Sequence, residues 1–202
     1  SFALMIKQVR YVKIIKVNLS IILSVSLLLI LLCARVQSGK YSLDTAHTID
    51  VLQNLLRTGE LFSNIAGLHR FNLHFTPIYY LLAPLVILTP SVFIFFWKFI
   101  CFGTFLTCIY KVTQKLQKLN SASKNTIFLM ILFNPTIVLG ILDPNIWDTD
   151  LTLPFVGFSL LALSRQKYLQ SVIFFTLTYF IKEDMPLVGI MFGILIVLLS
   201  HD

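Results

Sequence analysis

Charge is what this sequence has least of. Of its 202 residues only 12% are Asp, Glu, Lys or Arg, while 57% are hydrophobic and the mean hydropathy is +0.85. That balance excludes a disordered chain and a coiled coil, and three cysteines are too few for a disulfide scaffold. Cys33, Cys101 and Cys108 each lie in an apolar run without metal-ligand spacing, which reads as membrane-buried thiols rather than a zinc or redox centre. Internal repeats and low-complexity linkers are absent as well. Residues 1–202 therefore read as one membrane domain, expected to be the N-terminal part of a longer protein. The net charge of +7 and pI of 9.4 are no nucleic-acid footprint in so apolar a chain, and no nucleic-acid partner is expected.

What is abundant is apolar sequence in long stretches. These run over residues 17–34, 91–110, 126–142, 151–164, 168–181 and 186–200, separated by short polar joints. They predict an all-α, polytopic membrane protein with about six transmembrane helices. Several stretches are shorter than the roughly 20 residues that cross about 30 Å of hydrocarbon. The first is preceded by Lys7, Arg10, Lys13 and Lys16 and reads as a retained signal anchor. A seventh stretch, 75–89, contains Pro77 and Pro84, is closed by Pro90, and reads as a short re-entrant or interfacial helix.

The positions of the charges orient the chain. With the N-terminus cytoplasmic, ten basic residues (Lys7, Arg10, Lys13, Lys16, Lys111, Lys115, Lys118, Lys124, Arg165 and Lys167) fall on the inner face without one acid. Eight acids (Asp44, Asp50, Glu60, Asp143, Asp148, Asp150, Glu183 and Asp184) fall on the outer face. Letting 75–89 span would reverse this segregation. The expected location is a bacterial cytoplasmic membrane.

The long external loop, 35–90, holds one amphipathic helix over 45–58. Its apolar face is Ile49, Val51, Leu52, Leu55 and Leu56, with Gly59 as its stop and Asp44 at its N-cap. Such a helix would lie flat on the bilayer. A carboxylate at that helix start is both a cap and a candidate general base.

The second acidic element, Asp143-Pro-Asn-Ile-Trp-Asp-Thr-Asp150, reads either as a capped, hydrated turn or as carboxylates aimed at a common cavity. Its oxygens would suit a hard divalent cation, although the spacing matches no dedicated metal loop. Trp147 reads as an interfacial anchor. Lys182-Glu183-Asp184 is a hairpin joint or one wall of an anion site, and His74 is an interfacial histidine or a phosphate ligand. Arg57 and Arg70 are donors for lipid head groups or a lipid-linked phosphate, or simply snorkel. His47 and His69 carry no comparable context.

Taken together, Asp44 before a helix ending in Gly59-Glu-Leu-Phe-Ser63, His74-Phe-Thr-Pro77, Asn134-Pro135, the acidic loop and Lys182-Glu-Asp184 resemble the membrane-protein family called domain of unknown function 2079. More distantly the set is similar to C-type glycosyltransferases such as protein O-mannosyltransferases and aminoarabinose transferases. The acidic loop departs from the nearer family, which has a His and a Glu around the positions of Asp148 and Asp150.

The resemblance implies sugar transfer from a polyprenyl-phosphate donor to an acceptor on the outer face. Asp44 would be the catalytic acid of the first loop, with Asp148 or Asp150 orienting donor or acceptor. His74, Lys182, Glu183 and Asp184 would contact substrate; Arg57 and Arg70 are candidate substrate contacts from their outer-face position, apart from the resemblance. No cofactor is predicted, although a divalent metal is compatible with the acidic loop. The alternatives are a transporter or flippase of lipid-linked or small anionic substrates, and a non-catalytic membrane subunit.

Overall fold

The computed structural model describes residues 2–69, 79–87, 89–181 and 185–200, so the expected roles of Arg70, His74, Lys182, Glu183 and Asp184 lie outside the described residues. The fold is all-α. Among the described residues the strands are two antiparallel pieces of two residues each, β1 (Phe62–Ser63) and β2 (Leu68–His69).

The first helix, α1 (Phe2–Gln37), runs 36 residues because nothing from Phe2 to Gln37 is Gly or Pro. Gly39, at φ 66°, lies just beyond its end. Leu28, Leu32 and Val36 form a buried stripe at a spacing of four, while Leu19, Ile22, Leu23, Leu27, Ile30 and Leu31 are exposed. A helix apolar on all sides but buried along one stripe has the surface of a lipid-facing helix. Leu19–Gln37 and α4 (Pro90–Gln114) are each long and apolar enough to cross a membrane.

A third candidate is a bent pair, α5 (Ser121–Leu132) and α6 (Pro135–Leu142), which meet at 56°. Pro135 cannot continue the ladder of α5, and the Asn134 side chain caps α6 by accepting from the Thr136 N–H at 3.0 Å. Among the described residues the remaining apolar helices fall short of a span. They are α7 (Thr152–Leu163, 12 residues), α8 (Tyr168–Leu177, 10 residues, continued by a 3-10 turn) and α9 (Met185–Ser200, 16 residues). The described part of the expected re-entrant segment is α3 (Tyr79–Leu82) and a 3-10 turn over Ala83–Ile87.

Around α4 the packing is close. Gly157 of α7 faces it so tightly that an added Cβ would lie 3.1 Å from the Cys108 Cβ and 3.2 Å from the Phe105 Cα. Antiparallel α8 is tied to α7 by mutual hydrogen bonds of Ser159 and Ser171, each hydroxyl donating to the other's carbonyl at 2.8 Å.

Residues shared by cavities set the direction of α1. Arg35 lines one cavity with Phe102 and Asp143, while Ile21 lines another with Tyr110 and Lys111. Hence α1 is antiparallel to α4 over the residues that line these cavities. At the Lys111 end of α4 the Lys115 Nζ donates to the Ser164 carbonyl at 3.3 Å, and Lys124 Nζ to that of Gln114 at 2.7 Å. The basic joints around 111–124 and 165–167 thus share one end of the helix set, and the 143–150 loop lies at the other.

Two expectations for the amphipathic helix change. In α2 (Leu43–Thr58) the N-cap is Ser42, whose Oγ accepts from the Thr45 N–H at 3.3 Å, so Asp44 sits inside the first turn. Its apolar face is covered by protein, with Val51 and Leu52 fully buried, rather than laid on the bilayer; Leu56 alone of the five is exposed. Tyr79, Ala83 and Val86 of the segment 79–87 belong to the same core. Gly59 ends the helix as expected, at φ 79° with its N–H on the Leu55 carbonyl.

Candidate functional site

The N-terminal turn of α2 and the 143–150 loop are separated by about a hundred residues in sequence and are hydrogen-bonded to each other. The Asn145 Oδ1 accepts from the Ser42 N–H at 2.6 Å and from the Thr45 hydroxyl at 3.4 Å. The Thr45 Oγ1 in turn accepts from the Ile146 N–H at 2.9 Å. Asp143 braces the loop from within. Its Oδ1 accepts from the Asn145 N–H (3.1 Å) and side-chain amide (2.7 Å), and its Oδ2 from the Trp147 indole at 2.6 Å.

Two further carboxylates join the loop to the helices beneath. Asp148 accepts from the Tyr79 hydroxyl. Asp150 is buried, and its Oδ2 lies 2.8 Å from the ammonium of Lys98, a side chain with no exposed surface. The same oxygen accepts from the Trp97 indole at 3.3 Å and the Trp147 N–H at 3.2 Å. Burial pushes the Asp150 carboxyl above the usual carboxylate range, against the pull of the Lys98 charge and these hydrogen bonds.

Beside this loop lies a cavity of about 680 Å³, walled by the α1 end, α6, the loop and the start of α7. Its polar lining includes Arg35, Asp143, Asp150, Thr149 and Thr152; its apolar lining includes Phe102, Ile137, Leu142 and Leu153. A groove of this kind accommodates a charged or hydroxylated head group together with hydrocarbon.

Of the expected site residues, Asp44 is exposed and makes no hydrogen bond or ion pair with another described residue. It stands between Ser42 and Thr45, the two residues docked on Asn145. Asp148 and Asp150 belong to the loop and are held by different partners. Arg57 is exposed in the last turn of α2, about 20 Å along the axis from Asp44 at 1.5 Å per residue, so it does not share the docked end. No group of three or more His, Cys, Asp or Glu gathers as a metal-ligand set among the described residues.

Sequence reasoning passed over Lys98, Arg35, Tyr79 and Asn145. Lys98 carried the clearest signal, since a single charge amid the apolar run 91–110 demands a buried partner of opposite sign. No protein-family model, curated protein or solved structure matches the chain.

Proposed function

We propose that the protein is a membrane glycosyltransferase of the C-type kind, moving a sugar from a polyprenyl phosphate to an acceptor hydroxyl. The reaction would take place at the acid-lined end of the helix set. The observation that carries this reading is the docking of the Asp44 turn onto the acidic loop beside a groove with both polar and apolar walls. On this reading all six apolar segments are threaded through the membrane, the N-terminus is cytoplasmic, and the acidic end faces outward in a bacterial cytoplasmic membrane.

Asp44, exposed and unengaged among the described residues, takes the proton from the acceptor hydroxyl. The acceptor oxygen forms a bond to the anomeric carbon from the face opposite the phosphate. The bond from that carbon to the phosphate oxygen breaks, its electron pair stays on the lipid phosphate, and the sugar is inverted. Arg35, with His74 and Lys182, meets the phosphate charge, while Asp148 orients a sugar or acceptor hydroxyl. Asp150, buried against Lys98, acts on the shape of the loop. Alignment and charge stabilisation would supply most of the rate.

The test is transfer of labelled sugar from a polyprenyl-phosphate donor in membranes carrying the protein or its Asp44→Asn variant. Loss of a proton acceptor is expected to slow transfer by about 10²-fold or more. Robust and equal transfer by both proteins removes Asp44 from the mechanism. Substrate uptake by proteoliposomes with no transfer assigns the groove to a transporter instead.

A further inference from the structure

Lys98 carries a charge at a place where charge is costly. It lies within an apolar helix long enough to cross a membrane, and its side chain is wholly buried. A buried ion pair adds little stability compared with apolar side chains of similar size, so stability alone does not account for this one. Its geometry points to what it holds. A single oxygen, Asp150 Oδ2, receives the Lys98 ammonium, the Trp97 indole and the Trp147 N–H. The two ends of the segment 147–150 are thereby clasped to α4 through one atom.

On its other side Lys98 faces a cavity of about 60 Å³ whose remaining lining, including Leu28, Leu32 and Leu132, offers no carboxylate. The ammonium also stands 5.5 Å from the ring centroid of Phe102, within cation–π range. Asp150, Trp147 and Phe102 all line the 680 Å³ groove.

We infer that Lys98 is a positioning residue for this groove, holding its wall in place through Asp150 and Phe102 from inside the helix set. The inference rests on the sugar-transfer reading for what the groove receives, and on geometry alone for how its wall is held.

Its test uses the chain's own reporters, since the two tryptophans, Trp97 and Trp147, both belong to this network. In detergent, Lys98→Met combined with Asp150→Leu removes both charges together and leaves neither unpaired. This double variant is expected to unfold near the wild-type midpoint, yet show about twofold greater acrylamide quenching of tryptophan and faster amide exchange at Trp147 and at position 150. Lys98→Arg, which keeps the charge beside a cavity with spare room, is expected to restore wild-type quenching.

A folded double variant with wild-type quenching and exchange overturns the inference. If the double variant does not fold, amide exchange in the wild-type protein decides. Protection of Trp147 and Asp150 at the level of α4 supports the clasp, and exchange at open-loop rates overturns it. None of these measurements requires sugar transfer, so failure of the enzymatic reading leaves them interpretable. A positive transfer assay likewise leaves them capable of failing.

Discussion

Asp50 and Asp150 are both multiply hydrogen-bonded carboxylates at loops, and they are held in opposite ways. Asp50, on α2, gathers the turn between β1 and β2. Its Oδ2 accepts from the Ser63 hydroxyl at 2.9 Å and from the N–H groups of Asn64 and Ile65 at 2.7 and 3.2 Å. Those donors lie 13 to 15 residues away in sequence and are neutral. Burial pushes the Asp50 carboxyl up, but the donors outweigh it and hold the group below its ordinary value of 3.8. Asp150 draws its principal donors from 52 and 53 residues away, one of them a buried cation. The first arrangement finishes a turn with local backbone, while the second accepts the cost of two buried charges in order to join distant elements. A locally satisfied carboxylate needs no functional explanation. A long-range buried pair does.

The comparison breaks most sharply at the pair itself. Lys98→Met alone leaves Asp150 buried without its cation and is expected to cost about 3–5 kcal/mol, read as a lower midpoint in detergent-induced unfolding. Loss of less than about 1 kcal/mol would place water at Asp150 and erase its contrast with Asp50. Next in size is Asn145→Ala, which strips the Ser42 N–H and Thr45 hydroxyl of a partner. It is expected to cost about 1–3 kcal/mol and to raise proteolysis at residues 38–45. Ser42→Ala removes the helix cap and a long 3.5 Å contact with the Thr45 hydroxyl, and should cost about 1 kcal/mol in the same unfolding assay.

The smallest effect is expected at Asp50. Because its folded value lies below the unfolded one, its contribution is complete above about the unfolded value and is lost as pH falls through the folded value. Amide exchange at Asn64 and Ile65 should therefore accelerate, after correction for intrinsic rates, when the pH drops from 5 to about 2. Asp50→Asn should flatten that response, and an unchanged profile would show that the charge of Asp50 does not hold the turn.

Much of the helical layout could be read from residue order. The six apolar stretches all fall on helices, although 126–142, read as one stretch, is broken at Asn134-Pro135 into α5 and α6. Gly59 stops α2 in the left-handed conformation that glycine adopts without strain. The N-cap was less legible because Ser42 and Asp44 are both good caps two residues apart, and hydrophobic periodicity does not resolve a boundary that finely. The cover over the α2 face was not legible at all, since an apolar stripe states that something must bury it and leaves open whether lipid or protein does so. The same ambiguity applies to α7, α8 and α9, which are apolar enough for membrane but short for a span by themselves.

By itself the sequence determined composition, the helical class and the separation of acidic from basic joints, because these follow from residue type and spacing along one chain. Which carboxylate became a clasp, which remained exposed, and which cation lies beneath the loop were decided by tertiary structure. Those outcomes depend on distances between residues far apart in sequence: Lys98 reaches Asp150 only once α4 and the loop are packed, and Asn145 meets Ser42 only when α2 docks. Burial strengthens each polar contact and raises the cost of each unmet group, so packing, more than local preference, selects among the acids that the sequence supplies.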